Sequence, residues 1–266
     1  MPSSLAMIDV DGTLMHRGDW NPGAHELITH LAEKGLHVAL CSGRPTGGLI
    51  SLAREMPAVS LVVSSSGTTA LARESEDVDA SWRMLDHRTL DPVLVAQAMK
   101  LADRAGIETW AYTARDWLVR EISARVRDEW TFIGDTPHID PIVGREDIGK
   151  FLFLVEGQAH SSVLGQIDEW EGVGVVMSGK TYADLVPEVA THTKGGDLLT
   201  EHLGIGWEDV LAIGDGQNDI GMLSRAGQAI GVAPLAEDML PTPARGQRRG
   251  YAANTAEALE IAREWV

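Results

Sequence analysis

The chain has 266 residues, 44% of them hydrophobic and 23% charged, which suits a folded globular protein with one large α/β domain or two domains around separate cores. Asp and Glu number 39 against 22 Lys and Arg, a net charge of −17. That balance disfavours nucleic acid, anionic membranes and other polyanions as partners, and an anionic substrate would need a local metal ion or lysine to hold it. Cys41 is the single cysteine, so no intrachain disulfide can form. No signal-peptide pattern or membrane-length apolar run is present, and the cytoplasm is the expected setting.

Taken in chain order, the first element is Leu5-Ala6-Met7-Ile8, a short apolar run ending at Asp9. Such runs, bounded by turn residues, suit buried parallel strands. Residues 22–34 place Ala24, Leu27, Ile28 and Leu31 at helical spacing, with Gly35 as the stop. Leu36 to Cys41 predicts a second strand, ending in Ser42-Gly43-Arg44-Pro45. A helix over 46–55 and a strand over Ser60 to Val63 follow, then Ser64-Ser65-Ser66-Gly67. Alternating strands and helices imply right-handed crossovers and a parallel sheet.

The middle of the chain, 83–182, has a different pattern. Helical spacing over 90–104, 118–130 and 160–170 alternates with strands near 107–113, 149–156 and 172–177. Five of the eight tryptophans (Trp82, Trp110, Trp117, Trp130 and Trp170) fall at or inside its edges. They suit a core, and an aromatic wall against a ligand ring stays open. This stretch reads as an inserted α+β domain, leaving a discontinuous first domain of 1–82 and 183–266. The earlier pattern then resumes. Gly195 to His202, Ile220 to Ala226 and 255–265 predict helices, and Asp209 to Ile213 and Ala229 to Ala233 predict strands.

Asp9, Ser42 and Asp215 each stand just past an apolar run, and open parallel sheets bind ligands outside the carboxyl ends of their strands. In Asp9-Val10-Asp11-Gly12-Thr13, a strand-held Asp9 suits a nucleophile that forms an acyl-phosphate, and Asp11 suits the acid and base. A turn made by Asp and Gly for local hydrogen bonding is the plainer reading. A calcium loop would need Glu where Trp20 stands. In Gly214-Asp215-Gly216-Gln217-Asn218-Asp219, the carboxylates and the amide suit magnesium, while Asn218 or Asp219 can equally cap the next helix. Lys194 is a surface lysine unless metal carboxylates lie beside it, where it would hold nucleophile and phosphate together. Ser42 and Gly43 offer a hydroxyl and N–H groups to phosphate oxygens, and Arg44 can reach phosphate or pair structurally. Cys41 reads as a packing residue.

In this order, Asp9-Val10-Asp11-Gly12-Thr13, Ser42-Gly43-Arg44-Pro45, Lys194-Gly195 and Gly214-Asp215-Gly216-Gln217-Asn218-Asp219 resemble the haloacid dehalogenase superfamily. The insert between the second and third motifs resembles the class IIB cap of its Cof-type branch. The resemblance implies a Rossmann-like parallel-sheet core with helices on both faces, an inserted α+β cap domain and Mg2+. It implies Asp9 as nucleophile and ligand, Asp11 as acid/base and as ligand through its carbonyl, and Asp215 as the remaining protein ligand. Ser42, Gly43, Lys194 and Asn218 would bind phosphate, with Asp219 and Arg44 behind them. The family's Asn-Gly after the third strand is here Ser66-Gly67, and its Asn-Ala after the last core strand is Pro234-Leu235-Ala236. A phosphatase acting on a small phosphate ester, with sugar phosphates favoured and the protein a monomer or homodimer, is the resulting expectation. A phosphomutase on the same scaffold and a non-catalytic phosphate-sensing module are the rivals.

Overall fold

The computed structural model describes residues 4–75, 77, 81–155, 158–167, 169–178, 181–240 and 242–266. Residues 156 and 168, within the expected strand 149–156 and helix 160–170, lie outside the described residues.

The chain opens with β1 (Ser4–Asp9) and a small hairpin, β2 (Met15–His16) and β3 (Asp19–Trp20). Then come α1 (Ala24–Glu33), β4 (Leu36–Cys41), α2 (Thr46–Glu55), β5 (Val59–Ser64), β6 (Thr69–Arg73) and β7 (Trp82–His87). The insert holds α3 (Pro92–Ala105), β8 (Thr109–Tyr112), β9 (Trp117–Val119), α4 (Ala124–Ile133) and β10 (Pro137–Ile139). It continues with β11 (Lys150–Leu154), α5 (Gln158–Ile167), β12 (Val173–Ser178) and β13 (Tyr182–Pro187). The chain returns through α6 (Glu188–Thr191), α7 (Gly196–Leu203), β14 (Val210–Gly214), α8 (Ile220–Arg225), β15 (Gln228–Val232), β16 (Arg248–Ala252) and α9 (Thr255–Trp265).

Among the described residues the large sheet has eight strands in the order β16-β15-β14-β1-β4-β5-β6-β7. The run from β16 to β5 is parallel, and β6 and β7 extend it antiparallel. β1 explains the layering. Successive side chains of a strand face opposite ways. Ala6 and Ile8 therefore pack with α1, α2 and α9, while Leu5 and Met7 pack with α7 and α8. Both faces are covered, which is why the strand reads as one continuous apolar run.

The smaller sheet runs β10-β9-β8-β11-β13-β12. One face packs Phe151 and Phe153 against α3 and α5, and the other carries Trp110, Trp117 and Leu152 against α4. Two expected boundaries move. β7 pairs with β6 in the large sheet and β13 pairs with β11 and β12 in the small one. Cuts at 82/83 and 182/183 would each split a strand from its partners, so the crossings fall after His87 and after Pro187. The helix expected over 118–130 is corrected too. Trp117–Val119 is a buried strand, and the helix starts after Ser123, whose hydroxyl accepts from the Val126 N–H at 3.1 Å. No helix among the described residues is long and apolar enough to cross a membrane.

Candidate active site

β1 lies between β14 and β4, so Asp9 ends a strand that is buried on both sides. The residue is only 4% exposed. Lys194 Nζ donates to Asp9 Oδ1 at 2.5 Å and also to Asp219 Oδ1. Asp219 is fully buried, and its other oxygen accepts from the N–H groups of Asp215 at 3.0 Å and Gly216 at 2.9 Å. Thr13 Oγ1 donates to Asp215 Oδ1 at 3.1 Å. Asp219 thus ties Lys194 to the turn after β14, and Thr13 ties that turn to the one after β1. The two turns nearly touch, since a Cβ on Gly12, at φ 101°, would collide with the Asp215 carboxylate.

The carboxylates of Asp9, Asp215 and Asp219 can each place an oxygen within 4.8 Å of the others. One ammonium does not balance them. Burial, then repulsion from Asp219 and Asp215, holds the Asp9 carboxyl well above its usual range despite Lys194. Burial and Asp219 push Asp215 up to about 6, against the Thr13 hydrogen bond. Burial opposes the charge on Lys194, but Asp219 and Asp9 outweigh it and raise its pKa. A dense all-oxygen cluster with uncompensated negative charge fits one divalent cation. Both oxygens of Asp219 are already engaged, so Asp9 and Asp215 are the carboxylates free to bind a metal directly.

The Ser42 turn follows β4. The Arg44 N–H donates to Ser42 Oγ at 3.2 Å. Arg44 then grips Asp11 with both ends of its fork, Nε to Oδ2 at 2.8 Å and Nη2 to Oδ1 at 2.6 Å. The structure brings Asp9, Lys194, Asp215 and Asp219 into one cluster, and the Asp11 carboxylate stands apart from it on Arg44. Asp11, Ser42, Gly43 and Asn218 line the same cavity as Asp9 and Asp215. Asn218 and Lys194 also border a small recess behind it. Cys41 is buried, and burial pushes its thiol up to about 12, so it packs and does not react.

The cavity has a volume of about 600 Å³ and its far wall is the inserted domain. Tyr112, Glu129, Phe132, Met177 and Tyr182 stand on that wall. The Tyr182 hydroxyl donates to Glu129 Oε2 at 3.0 Å. Burial holds Glu129 above the usual carboxylate range, against that hydrogen bond. The aromatic wall is tyrosine and phenylalanine. Trp110 and Trp117 pack inside the insert's core instead, at 1% and 0% exposure.

Lys150 and Asp184 also line the cavity, and the motifs did not point to them. Their signal was present: each is a charged residue in a strand whose other positions are almost all apolar. Asp184 Oδ1 is buried without a hydrogen-bond partner among the described residues, and its other oxygen carries the polar contacts at this wall.

A family model described as haloacid dehalogenase-like hydrolase matches residues 6–237. The chain is 25% identical over 235 residues to the 5-amino-6-(5-phospho-D-ribitylamino)uracil phosphatase YcsE of Bacillus subtilis (strain 168), covering 86% of this chain and 82% of that one. A 104-residue stretch, 37% of this chain, is 32% identical to the chloroplastic endoribonuclease YBEY of Arabidopsis thaliana and spans 18% of its length. Among solved structures, the HAD subclass IIB sugar phosphatase BT4131 superposes with a TM-score of 0.79 over 99% of both chains, at 18% identity. That is a likeness of fold.

Proposed function

The chain belongs to the haloacid dehalogenase-like hydrolases, and on that premise we propose that it is a magnesium-dependent phosphatase that cleaves a small phosphate monoester through an aspartyl-phosphate on Asp9. The observation that carries this reading is the cluster at the strand ends, where Lys194 holds Asp9 beside Asp215 and Asp219. Asp9 is fixed by a buried strand and a 2.5 Å ion pair, so its attack on phosphorus needs little reorganisation. An Asp9 oxygen bonds to phosphorus as the bond to the leaving oxygen breaks, and Asp11 gives that oxygen a proton. Asp11 then takes a proton from water, which attacks phosphorus and frees Asp9 and phosphate. Arg44 takes both Asp11 oxygens in this structure, so one of them must leave the guanidinium for Asp11 to carry the proton it delivers. Ser42, the backbone around Gly43, Asn218 and Lys194 would hold the phosphoryl oxygens. Asp9, Asp215 and the Asp11 carbonyl would hold Mg2+, which when bound offsets charge on the phosphoryl group.

A sugar or polyol phosphate is the substrate we favour. The Glu129 carboxyl and the Tyr112 and Tyr182 rings on the cavity wall suit a leaving group with hydroxyl donors and an apolar face. The relative named for a phospho-ribityl substrate supports the same class. The test is phosphate release from an aryl phosphate and a panel of sugar phosphates, with Mg2+ and with chelator, for wild type and Asp9→Asn. Release that needs Mg2+ and vanishes in the variant is expected. Full activity in Asp9→Asn would remove Asp9 from the nucleophile role.

A further inference from the structure

We infer that Lys150 and Asp184 are positioning residues, a latch by which the closed insert fixes the Ser42–Gly43 loop, and that Ser66 is the core's half of that latch. The role of the loop rests on the phosphatase reading; the latch itself does not.

Lys150 opens β11 and Asp184 lies in β13, with 2% and 1% exposure. Leu152 is the register partner of Asp184, so Lys150 stands two residues along on the same face. Lys150 Nζ donates to Asp184 Oδ2 at 3.2 Å and, across the domain gap, to the Gly43 carbonyl at 2.7 Å. It sits 4.2 Å from the centre of the Tyr112 ring. From the other side, the core hydroxyl of Ser66 donates to Asp184 Oδ2 at 2.6 Å. Two charges from the insert are therefore each bonded to one polar group of the core.

A buried ion pair is a poor source of net stability, because desolvation offsets the attraction. This one is placed where it can act as a reversible tie. When the insert swings away, Lys150 and Asp184 lose Gly43 and Ser66 but regain water, so opening is not prohibitive. When it closes, the Gly43 carbonyl is pinned. That carbonyl and the Arg44 N–H share one rigid peptide plane, and the Arg44 N–H donates to Ser42 Oγ at 3.2 Å. Fixing one side of the plane fixes the other. The Ser42 hydroxyl and the Arg44 backbone are thus set by a lysine from the opposite domain.

Ser66 completes the case. Its backbone is left-handed, φ 60° and ψ 35°, a conformation that favours Gly and Asn over other residues. The buried bond to Asp184 is what the serine gains there.

The test uses the full chain with Mg2+ and inorganic phosphate as the probe. Phosphate affinity is measured by calorimetry and the separation of the domains by small-angle X-ray scattering, for wild type, Lys150→Met and Ser66→Ala. Loss of a charged hydrogen bond predicts phosphate binding weaker by about tenfold in Lys150→Met and roughly threefold in Ser66→Ala. Both variants should scatter as more open molecules. A lower melting temperature with unchanged phosphate affinity and unchanged scattering would make the pair ordinary packing and overturn the latch. If Lys150→Met fails to fold, Ser66→Ala decides alone, because it removes one atom from the core side. If the wild type neither binds phosphate nor hydrolyses esters, the phosphatase reading has failed. Scattering then still judges the latch: opening in Ser66→Ala supports it, and an unchanged profile overturns it.

Discussion

The two walls of the cavity are built on different principles. The core wall is a set of charges delivered by strand ends and locked to each other: Asp9, Lys194, Asp219 and Asp215 are joined through hydrogen bonds that leave little freedom. The insert wall is mostly ring and methyl surface with a few acceptors, Glu129 and Asp184 among them. A phosphoryl group looks alike in every ester, so one rigid wall can serve all substrates. Leaving groups differ, and the second wall is where such differences can be read. If this division holds, changes to the core wall should lower turnover for every substrate alike. Changes to the insert wall should alter the ratio between substrates.

The largest expected effect is that of Asp9→Asn, a loss of roughly 10⁴-fold or more in turnover on any ester, by analogy with removal of other enzymatic nucleophiles. Stability should move the other way or not at all. The Asp9 carboxyl is held above its usual range by burial and by like charges, so its ionised form weakens the native state and a neutral isostere relieves it. A melting temperature that falls by many degrees in Asp9→Asn would mean the carboxylate stabilises the fold, contrary to this account.

Removal of the metal comes next, with loss of nearly all phosphate release in chelator and recovery on adding Mg2+. The charge imbalance also predicts a pH signature. Asp215, ordinarily near 3.8, is pushed up to about 6 in the metal-free fold. The native state therefore holds this proton more tightly than the unfolded chain does. Its contribution to stability is complete below about pH 4 and is lost as pH rises through about 6. A bound cation replaces the proton, so the rise in melting temperature given by Mg2+ should grow from pH 4.5 to 7 and then level off. A metal-induced shift that is flat across this range would exclude Asp215 from the ligands.

The unequal legibility of the two walls in the sequence has the same origin. The core wall is local. Asp9, Ser42 and Asp215 each follow an apolar run directly, and any parallel sheet brings such strand ends together. Even so, sequence order could not show that Asp11 turns away to Arg44, because that depends on a bidentate contact spanning 33 positions. The insert wall is non-local. Lys150 fell in a strand expected from its apolar residues and Asp184 in a stretch with no expected element, and both have partners in the other domain. The strands that went unpredicted have a similar cause. β7 and β16 are the sheet's edge strands and are only partly buried, so their apolar pattern weakens. Trp117–Val119 was absorbed into a helix because three apolar residues carry no period of their own.

Substitutions on the insert wall sharpen the comparison at a smaller scale. Glu129→Leu and Tyr182→Phe each break the Tyr182–Glu129 hydrogen bond of 3.0 Å. A ratio of kcat/KM between a polyol phosphate and an aryl phosphate that shifts by about tenfold is expected, the size of one polar contact. Turnover of the aryl ester should stay within about twofold. Equal losses on both esters would show that this wall serves the chemistry and not the choice of substrate.

The smallest effect tests a contact of the insert wall with Arg44, the partner of the proposed acid/base Asp11. Phe132, on α4, lies with its ring 4.8 Å from the Arg44 guanidinium, and Arg44 holds the Asp11 carboxylate. Phe132 is 41% exposed, so the contact contributes about 0.5–1 kcal/mol, the range for a cation–π pair near solvent. Phe132→Leu keeps apolar bulk and removes the π face. It should lower kcat/KM by about two- to fivefold on all esters, because it loosens Arg44 and touches no leaving group. The Asp11 pair has two hydrogen bonds of its own, which is why the loss should be no larger. A loss beyond tenfold, with the melting temperature unchanged, would mean that closure of the insert and the aim of Asp11 are one event. The two walls would then have to be treated as a single catalytic unit, and the division between fixed chemistry and variable recognition would fail at this residue.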